Sequence, residues 1–201
     1  MSKPIAIVDV DETLWAFHDA VFATGSEMGV RIPKRRECTG WEAIYKYSGQ
    51  DQVIEVFNRV HSHQCSYNPY PYAEQFLKFM KSKFHVIIAS HRKDEYRAEL
   101  VEWLKIHDLV YDEVVVSSDK TSMFDNPRVA VVVDDRADTI NAALAKNKIG
   151  VGLRKPWNTC SEYSSMTLFD NLEDIQDFLE CYQKTFTTWS GHGSETTTEF
   201  V

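Results

Sequence analysis

Asp9 and Asp11 stand one residue apart at the end of an apolar run, Ile5-Ala6-Ile7-Val8-Asp9-Val10-Asp11-Glu12-Thr13, and a second such run, Val129 to Val133, ends on Asp134-Asp135. Apolar runs of this kind read as strands buried on both faces of a sheet. Ligands of open α/β sheets bind outside the carboxyl ends of the strands, where both acid pairs fall. If the two strands are neighbours, their carboxylates meet. Like charges that close repel, and a hard divalent cation with oxygen ligands is the usual way to hold them together. The pattern points to a magnesium site. Hydrolysis of a phosphate monoester suits it: one aspartate attacks phosphorus and carries the phosphoryl group, and a second serves as acid, then as base for water. Residues two apart in an extended strand share a face, so Asp9 and Asp11 can address one phosphorus.

Other elements must position these acids. Three further short β-branched runs, His85–Ala89, Glu113–Ser117 and Ile149–Leu153, read as buried parallel strands. Between them Tyr72–Lys83, Asp94–His107 and Arg136–Lys146 carry apolar residues at spacings of three and four, the helical period. Alternating strands and helices predict an α/β fold with a doubly wound, mainly parallel sheet. One interval breaks the alternation. Residues 14–70 hold no buried strand; Leu14–Met28, Gly40–Tyr47 and Gln50–His61 read as helices. We expect a core of residues 1–13 and 71–186, and a helical cap of 14–70 covering the acids and excluding water. Of the cap aromatics Trp15, Phe17, Trp41, Tyr45 and Tyr47, each is a candidate for cap packing or for a substrate ring. Asn171–Thr185 is amphipathic, and residues 187–201 read as a disordered polar tail.

With 201 residues and 43% hydrophobic composition the chain can bury one sizeable core, and its net charge of −8 argues against an extended nucleic-acid surface. No apolar stretch approaches the roughly 20 residues that span a bilayer, and the first apolar run is too short for a secretory signal. Cys38, Cys65, Cys160 and Cys181 lack CxxC spacing and read as reduced thiols of a cytoplasmic protein. His61, His63 and Cys65 lack a fourth zinc ligand at a usual spacing and read as the solvated end of a cap helix.

In chain order, Asp9-Val10-Asp11-Glu12-Thr13, Ala89-Ser90, Lys120 and Asp134-Asp135 resemble the motifs of the haloacid dehalogenase (HAD) superfamily of phosphotransferases, over about residues 4–155. The resemblance implies that Asp9 is the nucleophile and a magnesium ligand, and that Asp11 is the acid/base and gives its backbone carbonyl to the metal. It implies that Ser90 binds a phosphate oxygen, that Lys120 balances the charge of Asp9 and the phosphoryl group, and that Asp135, with Asp134 beside it, completes the Mg2+ sphere. Asp138 would stand behind these ligands. Many relatives have glycine where this chain has Glu12; the bulkier residue also occurs in a branch acting on protein phosphoserine. Ser118-Asp119-Lys120-Thr121, Asp134-Asp135-Arg136-Ala137-Asp138 and Lys155-Pro156-Trp157-Asn158 resemble, more narrowly, the 5′(3′)-deoxyribonucleotidases. This implies a small phosphorylated substrate, a nucleotide, with cap aromatics against the base. Phage polynucleotide 3′-phosphatases share similar motifs, and a non-catalytic binding module that keeps the fold is the alternative of a different class. Arg92 reads either as a phosphate clamp or as a solvated helix-start residue, Arg136 as a structural partner of acids, and Arg154 and Lys155 as loop charges.

Overall fold

The computed structural model describes residues 2–159 and 167–189, without the side chains of Trp41 and 183–189. Six strands form one sheet: β1 (Ile5–Val8), β2 (His85–Ser90), β3 (Glu113–Val116), β4 (Val129–Val133), β5 (Ile149–Leu153) and β6 (Thr167–Phe169), in the order β3-β2-β1-β4-β5-β6. All pairings are parallel. The fold is the doubly wound α/β arrangement that the alternation predicts. The three-residue edge strand β6 was not foreseen, being too short to show a period. Strand order reverses between β1 and β4, which pair side by side with Val8 opposite Val133. The crevice at such a reversal is where this architecture places ligands, and it brings the two acid pairs together.

The β-branched runs are strands because both faces are covered. Ala6, Val8, Val86, Ile88, Val131 and Val133 face one apolar cluster; Ile5, Ile7, Ile87, Ala89, Val129 and Val132 face another. Helices α3 (Ala73–Lys83), α4 (Arg97–Ile106) and α6 (Leu172–Trp189) cover the first face through Phe76, Leu77, Met80, Leu100, Trp103, Leu104, Ile175 and Leu179. Helix α5 (Ala137–Ala145) and Phe124 cover the second. A Cβ at Gly152 would lie 2.1 Å from the carbonyl oxygen of Asp134, so only glycine lets the end of β4 pass this close to β5.

The interval between β1 and β2 holds α1 (Phe17–Glu27), a 3-10 segment Trp41–Tyr45 and α2 (Gln50–His61). Its ends meet where Tyr70 N donates to Leu14 O at 2.7 Å. Leu14, Trp15, Phe17, Val53, Val56 and Val60 join the same apolar cluster as β1 and β2, so the interval packs into the core rather than around a core of its own. Tyr47 packs instead against the Arg31 guanidinium, 4.0 Å from its ring. The terminal helix continues through Trp189, beyond the expected start of the tail at 187; residues 190–201 and Cys160 lie outside the described residues. Among the described residues no helix is long and apolar enough to cross a membrane.

Candidate active site

Asp9 continues the β1 ladder, its N–H donating to Val133 O at 2.8 Å, and Asp134 continues β4 by donating to Val151 O at 3.1 Å. The strand ends therefore carry Asp9, Asp134 and Asp135 into one place. One carboxylate oxygen from each lies within 4.8 Å of the others, all three residues being buried; among the described residues this is the one such group of His, Cys, Asp and Glu side chains. Lys120, from the turn that follows β3, donates through Nζ to Asp9 Oδ1 at 2.5 Å and to Asp134 Oδ2 at 2.8 Å. One ammonium thus contacts two of the three buried carboxylates. Burial pushes Asp9 up to about 7 against the pull of Lys120, with the Asp134 and Asp11 charges adding to the push. Asp135 is raised well above the carboxylate range, first by burial, then by Asp134 and Asp9.

The two acids at the end of β4 differ in what is left open. Asp134 gives Oδ2 to Lys120 and Oδ1 to the N–H of Arg136 at 2.9 Å. Asp135 accepts from Trp157 Nε1 on Oδ2 at 2.7 Å, while its Oδ1 has no partner among the described residues. Asp135 also lines the adjoining cleft and Asp134 does not. Asp9 Oδ2 is likewise unpartnered among the described residues. An oxygen-rich, net negative set with two oxygens unpartnered among the described residues, on side chains that line a cleft, fits a hard divalent cation.

Asp11 is held by more donors than any of these. Its Oδ1 accepts from Trp15 Nε1 at 2.9 Å and Arg92 Nη2 at 3.0 Å; its Oδ2 accepts from His61 Nε2 at 3.2 Å, Arg92 Nη2 at 3.2 Å and Ser90 Oγ at 3.3 Å. Burial alone would raise Asp11, but Arg92 and His61 outweigh it and hold the group well below the usual carboxylate range. Arg92 is not a solvated helix-start residue: it is buried, donates to Ser90 Oγ at 2.7 Å and to Gln64 Oε1, and lines the cleft. Ser90 is fully buried and does not reach the cleft wall. His61 is also not the solvated helix end that sequence indicated. It is buried, stacks on Phe17 at 4.9 Å and 16°, and touches Asp11, whereas His63 and Cys65 face solvent.

The cleft has a volume of about 540 Å³, within the range of small-molecule sites. One wall comes from the interval 14–70: Phe17, Tyr45, and Gln50, Ile54, Phe57, Asn58 and His61, whose spacing along α2 makes a single helical stripe. The other rim carries His91, Lys93, Arg136, Ser117 and Ser118. Trp15 is fully buried against Asp11, and the side chain of Trp41 lies outside the description. Asp138 pairs with Arg136 at 2.5 Å and stands outside the carboxylate group. Arg154 is a loop charge on Asp170 at 3.0 Å. Lys155 is not: it is buried, with Nζ 3.0 Å from Glu12 Oε2.

Sequence reasoning missed Gln64, read His61 as a solvated helix end, and met Trp157 only as part of the Lys155-Pro156-Trp157-Asn158 motif, without a role. The stripe on α2 that includes His61, and the strand-end position of Arg92 two residues beyond Ser90, were the available signals.

No family model matches the sequence, and no curated protein does. Solved structures do. A haloacid dehalogenase-like family hydrolase from Streptococcus pneumoniae superposes with TM-score 0.64 at 14% identity, covering 88% of this chain and 98% of that one. A protein from Haemophilus somnus described as a predicted phosphoglycolate phosphatase gives 0.62 at 15%, covering 89% and 98%. A HAD-hydrolase from Bacillus subtilis, bound to magnesium, gives 0.60 at 11%, covering 90% and 100%. At these identities the likeness speaks for the backbone, and the chain has the haloacid dehalogenase-like fold.

Proposed function

We propose that the protein is a magnesium-dependent phosphomonoesterase that works through an aspartyl-phosphate on Asp9, with nucleoside monophosphates, deoxy forms included, as its substrates. The observation that carries this reading is the pair of open, buried carboxylate oxygens, on Asp9 and Asp135, beside Lys120 at the foot of the cleft. Asp9, Asp135 and the backbone carbonyl of Asp11 would hold the magnesium ion, which supplies a hard positive charge for the phosphoryl oxygens. Asp134, with both oxygens engaged, anchors Lys120 instead.

In the first half-reaction a bond forms between an Asp9 oxygen and phosphorus, and the bond from phosphorus to the leaving oxygen breaks. That oxygen takes a proton from Asp11. In the second, Asp11 accepts a proton from water, the water oxygen bonds to phosphorus, and Asp9 is released. The free site holds Asp11 as the carboxylate, ready for the second step; for the first, the incoming dianion draws on the charge of Arg92, and Asp11 takes one proton from solvent, gives it to the leaving oxygen, and returns one to solvent after the second step. Arg92 reaches the cleft wall and Ser90 does not, so Arg92 stands as the nearer phosphate partner, with Ser90 behind it.

The nucleotide assignment rests on the wall. Phe17, Tyr45, Ile54 and Phe57 offer apolar surface to a ring, and Gln50 and Asn58 offer amides to its polar edge. Glu12, which left a phosphoprotein substrate open on sequence grounds, does not line the cleft. Lys93 and Arg136 on the other rim, beside Asp94 and each paired with an acid, support one further candidate, a 3′-phosphorylated nucleic-acid end, whose next phosphate would meet them.

Phosphate release with magnesium, over nucleoside 5′- and 3′-monophosphates, sugar phosphates, a phosphoserine peptide and a 3′-phosphorylated oligonucleotide, tests the reading. Preference for nucleoside monophosphates is expected, and Asp9→Asn is expected to abolish release while circular dichroism stays that of the wild type. Turnover of none of these substrates, or wild-type rate in the variant, overturns it.

A further inference from the structure

Two sequence features remain without a role in the chemistry above: Glu12, and the motif Lys155-Pro156-Trp157-Asn158. The structure joins them in one network behind the carboxylate group. Asn158 is fully buried; its Nδ2 donates to Asp135 O at 2.8 Å and to Leu153 O at 2.9 Å, and its Oδ1 accepts from Lys155 N at 2.9 Å. The backbone of Asp135 is thereby fixed to the end of β5. Trp157, also buried, fixes the side chain by donating from Nε1 to Asp135 Oδ2 at 2.7 Å.

Trp157 is itself held in place. The His18 ring stacks on it at 6.2 Å and 27°, and the Arg35 guanidinium lies 5.8 Å from its ring centre. Arg35 forks onto Glu12, with Nη1 on Oε2 and Nη2 3.1 Å from Oε1, and onto Asp19 at 2.9 Å. Lys155 Nζ closes the network on Glu12 Oε2 at 3.0 Å and Tyr70 OH at 2.9 Å. Glu12, which does not line the cleft, thus joins Lys155 to Arg35, the cation that supports Trp157.

We infer that Trp157 is the positioning residue of the metal site: its indole N–H occupies Asp135 Oδ2 and sets the carboxylate so that Oδ1 alone faces the cleft. Glu12, through Arg35, braces the indole. This rests on the reading that magnesium binds Asp9 and Asp135. Partners behind a ligand that fix its orientation contribute about 10–100-fold in metal affinity. A phenylalanine keeps most of the ring and removes the donor, leaving the carboxylate free to turn.

The test is magnesium affinity by isothermal titration calorimetry on the full chain without substrate. Trp157→Phe is expected to weaken binding by about 10–100-fold, and activity lost at low magnesium is expected to return as magnesium is raised. A general loss of stability is read separately, as a fall in the Tm measured without magnesium. Wild-type affinity in the variant overturns the inference and leaves the metal reading intact; absence of magnesium binding by the wild type overturns both. Should the variant fail to fold, the wild type still decides: the Trp157 indole N–H resonance, assigned by triple-resonance NMR, is expected to shift along the same isotherm as magnesium binding. An unmoved resonance at saturation overturns the inference.

Discussion

Lys120 donates to both Asp9 and Asp134 in a site where all three residues are buried, so it is the cation that lets two of the acids ionise together. Removing one partner from a buried ionic group costs about 3–5 kcal/mol, because the remaining charge keeps its desolvation penalty. Asp9 can relieve part of this by taking a proton, since burial has already pushed it up to about 7. Lys120→Met is therefore expected to cost about 3 kcal/mol, which is a fall in Tm of roughly 6–12 °C at this chain length, with phosphatase activity lost. Thermal unfolding beside the phosphate-release assay reads both, and an unchanged Tm would show that Lys120 is not the partner of these acids. Asp9, Asp11, Asp134 and Asp135 stood out in the sequence because each follows the end of an apolar run, where local order fixes direction, whereas Lys120 entered only through the family resemblance. Arg92, His61 and Gln64 were not assigned, because what distinguishes them is burial in contacts between residues 28 to 81 positions apart: Gln64 with Arg92, and His61 and Arg92 with Asp11. Nothing in a local window separates such an arginine or histidine from a solvated one.

Helix α2 shows how one element serves two surfaces. Val53, Val56 and Val60 enter the core, while Gln50, Ile54, Phe57, Asn58 and His61 line the cleft. The sequence predicted its bounds at Gln50 and His61, as it did those of β4 and β5, and came within one residue for β2 and β3, because hydrophobic period and burial coincide in a sheet covered on both faces. It did not reveal the second stripe as a binding surface, since a mixed apolar and amide face reads as ordinary amphipathic patterning. Aromatic stacking on a base contributes about 1–3 kcal/mol, so Phe57→Ala is expected to raise KM for nucleoside monophosphates about 5–150-fold and to leave p-nitrophenyl phosphate nearly unchanged. Equal losses on both would remove Phe57 from base recognition. The turn after β1 presents a contest of opposite effects. Glu12 has φ +64, the left-handed region, where relief by glycine is worth about 1–2 kcal/mol. Against that, Glu12→Gly would leave Lys155 and Arg35 without their shared anion, a loss of about 3–5 kcal/mol for a buried group. The second effect wins, and denaturant unfolding is expected to show a net loss of about 2 kcal/mol. A gain in stability would mean that Asp19 and water replace Glu12 fully.

At the scale of the molecule, the interval 14–70 shares the apolar cluster of the sheet, and its two ends meet at Leu14 and Tyr70. His61 and Gln64 from that interval reach Asp11 directly and through Arg92, while Arg35 reaches Asp135 through Trp157. The interval 14–70 and the carboxylate group are thus joined by direct contacts, and a cation that neutralises the acids is expected to stabilise both. A ligand that binds only the folded form adds RT ln(1 + [L]/Kd), about 2.7 kcal/mol at a hundred times Kd. For a chain of this length each kcal/mol is worth roughly 2–4 °C. Saturating magnesium is therefore expected to raise Tm by roughly 5–11 °C, and EDTA to return it to the metal-free value. The rise should vanish in Asp135→Asn, which replaces the open carboxylate with an amide, and survive largely in Asp138→Asn, because Asp138 stands with Arg136 outside the group. Differential scanning calorimetry on the wild type and these two variants separates a site-bound ion from general screening of a chain with net charge −8. Screening would raise all three alike, and that result would remove magnesium from the site.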